Sequence, residues 1–138
     1  MADVASPCRT TVVIITRNRS DELRQVLRQL DALPERPPVV VVDNGSMDAT
    51  RSVVETASAR VSAVLLGRNA GAAGRNSGVA QARTPYVAFS DDDSWWAPGA
   101  LQRAEEHFDR HPRLGLLCGL VAVGASQRLD PTCTAMQP

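Results

Sequence analysis

Lysine is missing from the chain: among its 138 residues all fifteen basic side chains are arginines, matched by fifteen acids. Without lysine there is no phosphate-gripping Walker lysine, no Schiff-base amine and no receiver-domain lysine. With a formal net charge of zero, no broad field draws the chain to nucleic acid or to an anionic membrane. Cysteine is sparse. Cys8, Cys118 and Cys133 are odd in number and lack metal-ligand spacing, which fits free thiols in a reducing, cytoplasmic compartment better than a disulfide framework. No apolar run is long enough to span a bilayer: residues 114–124 supply about half of the ~20 residues a spanning helix needs. The apolar run near the start is too short for a secretory signal and has Arg9 and Arg17 on its flanks. Internal repeats and low-complexity tracts are also lacking. What remains is one domain over residues 1–138, large enough for a real core.

The pattern along the chain alternates between strands and helices. "TVVIIT" (11–16) is a β-branched run, as expected of a strand buried on both faces. Ser20 then offers a helix cap, and Leu23, Val26, Leu27, Leu30 and Leu33 follow at helical spacing until Pro34 ends the pattern. "VVVV" (39–42) is a second buried strand that opens into "DNGS". Asp48 is placed to cap a helix with Val53, Val54 and Ala57 inside. "VSAVLL" (61–66) and "YVAFS" (86–90) read as the third and fourth strands. Between them "AGAAGRNSGVAQA" reads as a loop opening a small-residue helix. Pro98 suits the first turn of a helix carrying Leu101, Ala104 and Phe108, and "LGLLCGLVAV" (114–123) reads as a fifth strand. The last thirteen residues show no clear periodicity, so a loose tail is expected.

Strands alternating with helices imply an α/β fold: a Rossmann-like three-layer sandwich around a mostly parallel sheet. Ligands of such sheets bind beyond the carboxyl ends of the strands. Residues 16–19, 43–46, 67–75 and 91–93 all follow strand ends, so they should share one rim.

Three consecutive acids, Asp91, Asp92 and Asp93, stand on that rim beside Trp95 and Trp96. Adjacent carboxylates raise one another's pKa unless a cation intervenes. In an extended segment Asp91 and Asp93 would face one way and Asp92 the other. Mg²⁺ is often held by one or two carboxylates, with water and phosphate completing its shell, so a diphosphate is the natural companion. The plain alternative is a solvated turn capping the next helix through Ser94. The strand ahead and the tryptophans behind favour the metal. Asp43 admits two readings, acceptor for a nucleobase imide or turn residue holding "NGS". Arg75 lies among Gly71, Gly74 and Gly78 in a spacing that is not the dinucleotide G-x-G-x-x-G; it can pair with Asp43 or with phosphate. The tryptophans suit either a sugar pocket or partial core. His107 and His111, one turn apart, read as a solvated helix end, because no third ligand lies nearby.

Taken together, "VVIITRNRSDELRQVLRQL", "VVVVDNGSMDAT", "RNAGAAGRNSGVAQA" and "YVAFSDDDSWWAPGAL" resemble, in order and spacing, the family 2 glycosyltransferases of GT-A fold, over about residues 11 to 120. The resemblance implies a nucleotide-diphosphosugar donor site built from Thr16, Asn18, Asp43, Gly45, Asn69, Arg75, Asp91 and Asp92. Thr16 would lie beside the base, Asp43 would contact it and Arg75 would support it. Asp93 with Asp91 would be the ligands of Mn²⁺ or Mg²⁺, and Asp91 or Asp92 would reach ribose. A UDP- or dTDP-linked donor is favoured. The family normally inverts the anomeric centre, and its general base lies in a second half that also binds the acceptor. Nothing before Pro138 resembles that base motif. The expectation is therefore a truncated, donor-binding half, with the acceptor unidentified and a second copy able to cover an exposed sheet edge.

Overall fold

The computed structural model describes residues 7–135, so Met1 to Ser6 and the last three residues of the tail lie outside the description. The chain divides into two compact units, one ending at His107 and the other beginning at Phe108. The first unit contains β1 (Thr10–Thr16), α1 (Ser20–Asp31), β2 (Val39–Asp43), α2 (Thr50–Glu55), β3 (Val61–Leu65), α3 (Gly74–Gln81), β4 (Tyr86–Asp91) and most of α4 (Ala100–Arg110).

Its four strands form one sheet in the order β3-β2-β1-β4, parallel throughout. Alternation along β1 and β2 sends side chains to two faces. Val12, Ile14, Val39 and Val41 pack with Leu23, Val26, Leu27 and Leu30 of α1, Val53 and Val54 of α2, and Leu101 of α4. Val13, Val40 and Val42 form the opposite core, where α3 approaches the sheet at Gly78. A Cβ built on Gly78 would overlap the Val13 Cγ1 methyl and come within 3.0 Å of Val42 Cγ2. The glycine is therefore required by close helix–sheet packing. Helices cover both faces, as the α/β pattern implied.

Two helix starts differ from expectation. Ser20 does not cap α1: it is the first helical residue, and the flanking Arg19 makes no side-chain cap bond. Asp48 does the work from another loop. Its Oδ2 accepts the Ser20 N–H at 3.0 Å, while its Oδ1 accepts the Thr50 N–H at 3.0 Å and the Thr50 hydroxyl at 2.5 Å. One carboxylate thus satisfies donors at the starts of two helices. Pro98 falls in the turn before α4, closed by the Ala100 N–H on the Ala97 carbonyl.

The fifth strand expected over 114–123 is not formed. Of that run only β5 (Ala122–Val123) is extended, paired antiparallel with β6 (Arg128–Leu129). Leu116, Leu120 and Val121 are 74, 67 and 52 % exposed, and an apolar run that buries neither face lacks what stabilises an inner strand. Gly115 and Gly119 interrupt it further. The tail is more ordered than its sequence suggested. After the hairpin, α5 (Pro131–Ala135) directly follows Asp130, whose Oδ1 accepts the Thr132 N–H at 2.8 Å.

Candidate functional site

Strand register sets the site. Thr16 pairs with Asp43, Asp43 with Leu65, and Ile15 with Asp91, so all four strands end at nearly the same level and their loops share one rim. Backbone bonds from Asn44 to the Thr16 carbonyl (2.9 Å) and from Leu66 to the Asp43 carbonyl (3.0 Å) carry the pairing one residue further.

Side chains then stitch the loops together. Asn18, at a φ of 54°, accepts the Met47 N–H at 2.7 Å, and its own N–H reaches the Ser46 hydroxyl at 2.9 Å. Asp43 is buried; its Oδ1 accepts the Ser46 N–H at 2.9 Å and its Oδ2 has no partner among the described residues. Gly45 has a φ of 73°, and a Cβ there would lie 3.0 Å from the Arg68 backbone, so a side chain would meet both strain and contact. Asn69 closes its own loop by accepting the Gly71 N–H at 2.9 Å.

Asn44 belongs with these residues although the sequence reading passed over it. Buried at 4 % exposure, it accepts the Ala70 N–H at 3.3 Å and donates to the Gly71 carbonyl at 3.1 Å. It fixes the third loop against the second. The available signal was its place directly after Asp43, where a buried strand needs a polar side chain to satisfy the loop that crosses it.

The acidic triplet is a turn, not an extended segment. The Ser94 N–H reaches the Asp91 carbonyl at 3.3 Å, and the Asp91 N–H reaches the Ser94 hydroxyl at 3.2 Å. Strand alternation therefore ends at Asp91, and Asp91 and Asp93 do not share a face by pleating. Ser94 pins the turn instead of capping the next helix, which begins at Ala100. Asp92 points inward at 6 % exposure and accepts the Thr16 hydroxyl at 2.8 Å.

Positive charge does meet the triplet, and arginines supply it. Arg19 forks across two acids, Nη1 lying 2.9 Å from Asp92 Oδ1 and Nη2 3.2 Å from Asp93 Oδ2. Arg75 Nη2 lies 2.7 Å from Asp91 Oδ1. Of the partners foreseen for Arg75, Asp43 is thus not the one it takes here. Asp92 first, then Asp93, pushes the Arg19 guanidinium above its ordinary value, so it stays charged throughout the working pH range. Three carboxylates against two guanidiniums leave the cluster with one net negative charge.

Trp96 packs against the core, one of the two roles expected of the pair, while Trp95 is 45 % exposed. The Trp96 Nε1 is buried without an acceptor among the described residues. His107 and His111 are both exposed. No three His, Cys, Asp or Glu side chains among the described residues converge as a metal cage. The residues present nonetheless fit a hard divalent cation. Asp91 and Asp93 offer exposed carboxylate oxygens at 66 and 55 % side-chain exposure, the donor type and number with which Mg²⁺ or Mn²⁺ shares its shell with water and phosphate.

At the opposite end of the strands the sequence reading missed Glu105. It is buried, with Oε1 accepting the Arg9 N–H at 2.9 Å and the Thr10 hydroxyl at 2.7 Å. Its position four residues after Leu101 places it on the inner face of α4. Its bonds tie α4 to the start of β1, and it lies away from the rim. Burial also pushes the nearby Cys8 thiol up to about 11, with Glu105 adding to the effect. All three cysteines are free. No helix among the described residues is long and apolar enough to cross a membrane.

Parallel strands ending in a shared polar rim, with an acidic turn at one edge, define a GT-A glycosyltransferase architecture. The fold matches a mannosyltransferase from Pyrobaculum calidifontis in complex with GDP-Man and Mn²⁺ (TM-score 0.65, 25 % identity, 75 % of this chain and 33 % of that one). It also matches S. aureus TarS (TM-score 0.67, 27 % identity, 75 % and 20 %). A TarS 1–349 complex with UDP-GlcNAc, at 24 % identity and TM-score 0.67, covers 81 % of this chain and 38 % of its own. Residues 11–136 match glycosyl transferase family 2, and the chain belongs to that family. Among curated relatives it is 33 % identical over 101 residues to the succinoglycan biosynthesis protein ExoU of Rhizobium meliloti. It is 31 % identical over 101 residues to the putative teichuronic acid biosynthesis glycosyltransferase TuaG of Bacillus subtilis. These alignments cover 70 % of this chain but 30 and 40 % of the relatives, so the chain spans about a third of their length.

Proposed function

We propose that residues 1–138 form the donor-binding half of a metal-dependent, inverting glycosyltransferase that uses a nucleotide-diphosphosugar. The observation that carries this reading is the strand register, Thr16 with Asp43 and Ile15 with Asp91, which sets the open Oδ2 of Asp43 and the acidic turn on one rim. The open Oδ2 of Asp43 accepts the imide N–H of uracil or thymine, which is why a UDP- or dTDP-linked donor is favoured. Thr16 backs the base. Asn18, Gly45 and Asn69 hold the loops that shape its pocket, and Arg75 supports it from α3. Asp91 or Asp92 reaches the ribose. Bound to Asp93 and Asp91, Mn²⁺ or Mg²⁺ supplies charge that neutralises the departing diphosphate.

Inversion requires an acceptor hydroxyl to attack the anomeric carbon while a carboxylate takes its proton. No residue of this chain is assigned that role. The acceptor is unassigned too, a second copy is proposed to cover an open sheet edge, and a cytoplasmic site of action is proposed from the free thiols. A second reading is a donor- and metal-binding module without turnover, in keeping with the absence of an assigned base among the described residues. Calorimetric titration of UDP with Mn²⁺, run beside an assay of UDP-sugar hydrolysis and transfer, separates the two. Binding with turnover supports the enzyme, binding without turnover supports the module, and no binding refutes both.

A further inference from the structure

Arg19 has no role in the donor reading, yet its guanidinium pairs with two carboxylates of the acidic turn. It flanks α1, and its carbonyl accepts the Leu23 N–H at 3.0 Å, so its backbone is locked by the first helical turn. From there the planar guanidinium engages Asp92 through Nη1 and Asp93 through Nη2, while its Nε lies 3.7 Å from Glu22. The fork geometry is specific to arginine. Asp92 is held in place by the Thr16 hydroxyl, so the pair is anchored on both sides. The Arg19 side chain is still 41 % exposed, so it is free to swing toward solvent.

We propose that Arg19 is a built-in counter-ion that occupies the cation position of the acidic turn until a divalent metal displaces it. A guanidinium and a divalent cation cannot share the same oxygen of Asp93 without strong mutual repulsion. A divalent ion that takes Asp93 Oδ2 therefore breaks the Arg19–Asp93 contact. The displaced guanidinium, still tethered beside the turn by α1, then meets the donor's diphosphate, for which its planar fork is suited. Metal and diphosphate are coupled as a result: each removes an obstacle to the other, and metal alone binds weakly. The displacement step stands on the ion pairs themselves, whereas the coupling to diphosphate rests on the donor reading above.

The test is calorimetric titration of Mn²⁺ alone, and of Mn²⁺ in saturating UDP, on the wild-type chain, Arg19→Gln, Arg19→Lys and Arg24→Gln. Arg24 pairs with Asp21 elsewhere on α1, so its loss controls for net charge. Arg19→Gln is expected to bind Mn²⁺ alone roughly tenfold more tightly than wild type. Arg19→Lys, which keeps the charge but not the fork, should fall between, and Arg24→Gln should match wild type. UDP should raise Mn²⁺ affinity much more in wild type than in Arg19→Gln. Should Arg19→Gln fail to fold, Arg19→Lys carries the same comparison. Equal Mn²⁺ affinity in wild type and both Arg19 variants overturns the proposal. If UDP binds to no variant while Arg19→Gln still gains Mn²⁺ affinity, counter-ion displacement stands and the donor reading falls.

Discussion

Replacing Gly78 by alanine sets two opposed effects against each other. Within a helix, alanine is favoured over glycine by about 0.8–1 kcal/mol. Here, however, the new methyl would overlap the Val13 Cγ1 methyl and lie within 3.0 Å of Val42 Cγ2. Both valines are fully buried, and β-branched side chains have little rotameric freedom with which to yield. Overpacking costs about 1–3 kcal/mol; an overlap this deep with fully buried, rigid side chains belongs at about 2–3, so after the helix-propensity gain a net loss of about 1–2 kcal/mol is expected. Relief requires α3 to lift from the sheet, which carries Arg75 away from Asp91. Urea denaturation is the assay, with Asn76→Ala at an exposed position of the same helix as control. The control should be neutral or slightly stabilising. A Gly78→Ala midpoint at or above that of wild type, with unchanged slope, would refute the account of how α3 seats on the sheet.

Three further outcomes follow from the same geometry. Asp43→Ala should weaken UDP about tenfold to a hundredfold, as expected for loss of a hydrogen bond to a charged group, while leaving Mn²⁺ alone unchanged; an equal effect on both ligands would dismiss the base contact. Asp48→Ala, which removes the acceptor of donors at the starts of two helices, should cost about 1–2 kcal/mol in urea. The Thr50 hydroxyl holds the Asp48 carboxyl below its ordinary value of 3.8, so its contribution is present above that pH and lost as pH falls. The variant's stability should accordingly decline less in acid, and a parallel acid limb would count against it. With its thiol pushed to about 11 from an ordinary 9.0, Cys8 should react with iodoacetamide at pH 8 more slowly than exposed Cys118. The raised value also means that its contribution to stability is intact below pH 9 and lost between about 9 and 11; preferential labelling of Cys8 would contradict this.

Much of this fold could be read in advance because its signals are local. β-branched runs mark β1 and β2, the spacing of Leu23, Val26, Leu27 and Leu30 marks α1, and the order of strand and helix dictates parallel pairing. The shared rim followed from topology alone. What escaped depended on tertiary partners. "LGLLCGLVAV" has strand composition, but composition cannot say whether a neighbour exists to bury it, and Leu116 and Leu120 remain exposed. Ser20 has the right type for a cap, yet Asp48 reaches Ser20 from a loop 28 residues away. The charge opposite the acidic turn was correctly anticipated as positive. That Arg19 also reaches Asp93 could not be read, because which guanidinium meets the turn depends on where α1 begins in space. Glu105 and Asn44 were overlooked for a related reason: a polar residue on a buried face signals only that some partner exists, not which one.

The claim on which the rest depends is that the acidic turn grips a divalent ion together with a nucleotide diphosphate. Its most direct measurement is calorimetric titration of UDP into the wild-type chain and Asp93→Ala, each with and without Mn²⁺. Metal-dependent UDP binding in wild type, abolished in Asp93→Ala, is the predicted result. UDP affinity that is the same in both proteins, or indifferent to Mn²⁺, would contradict it.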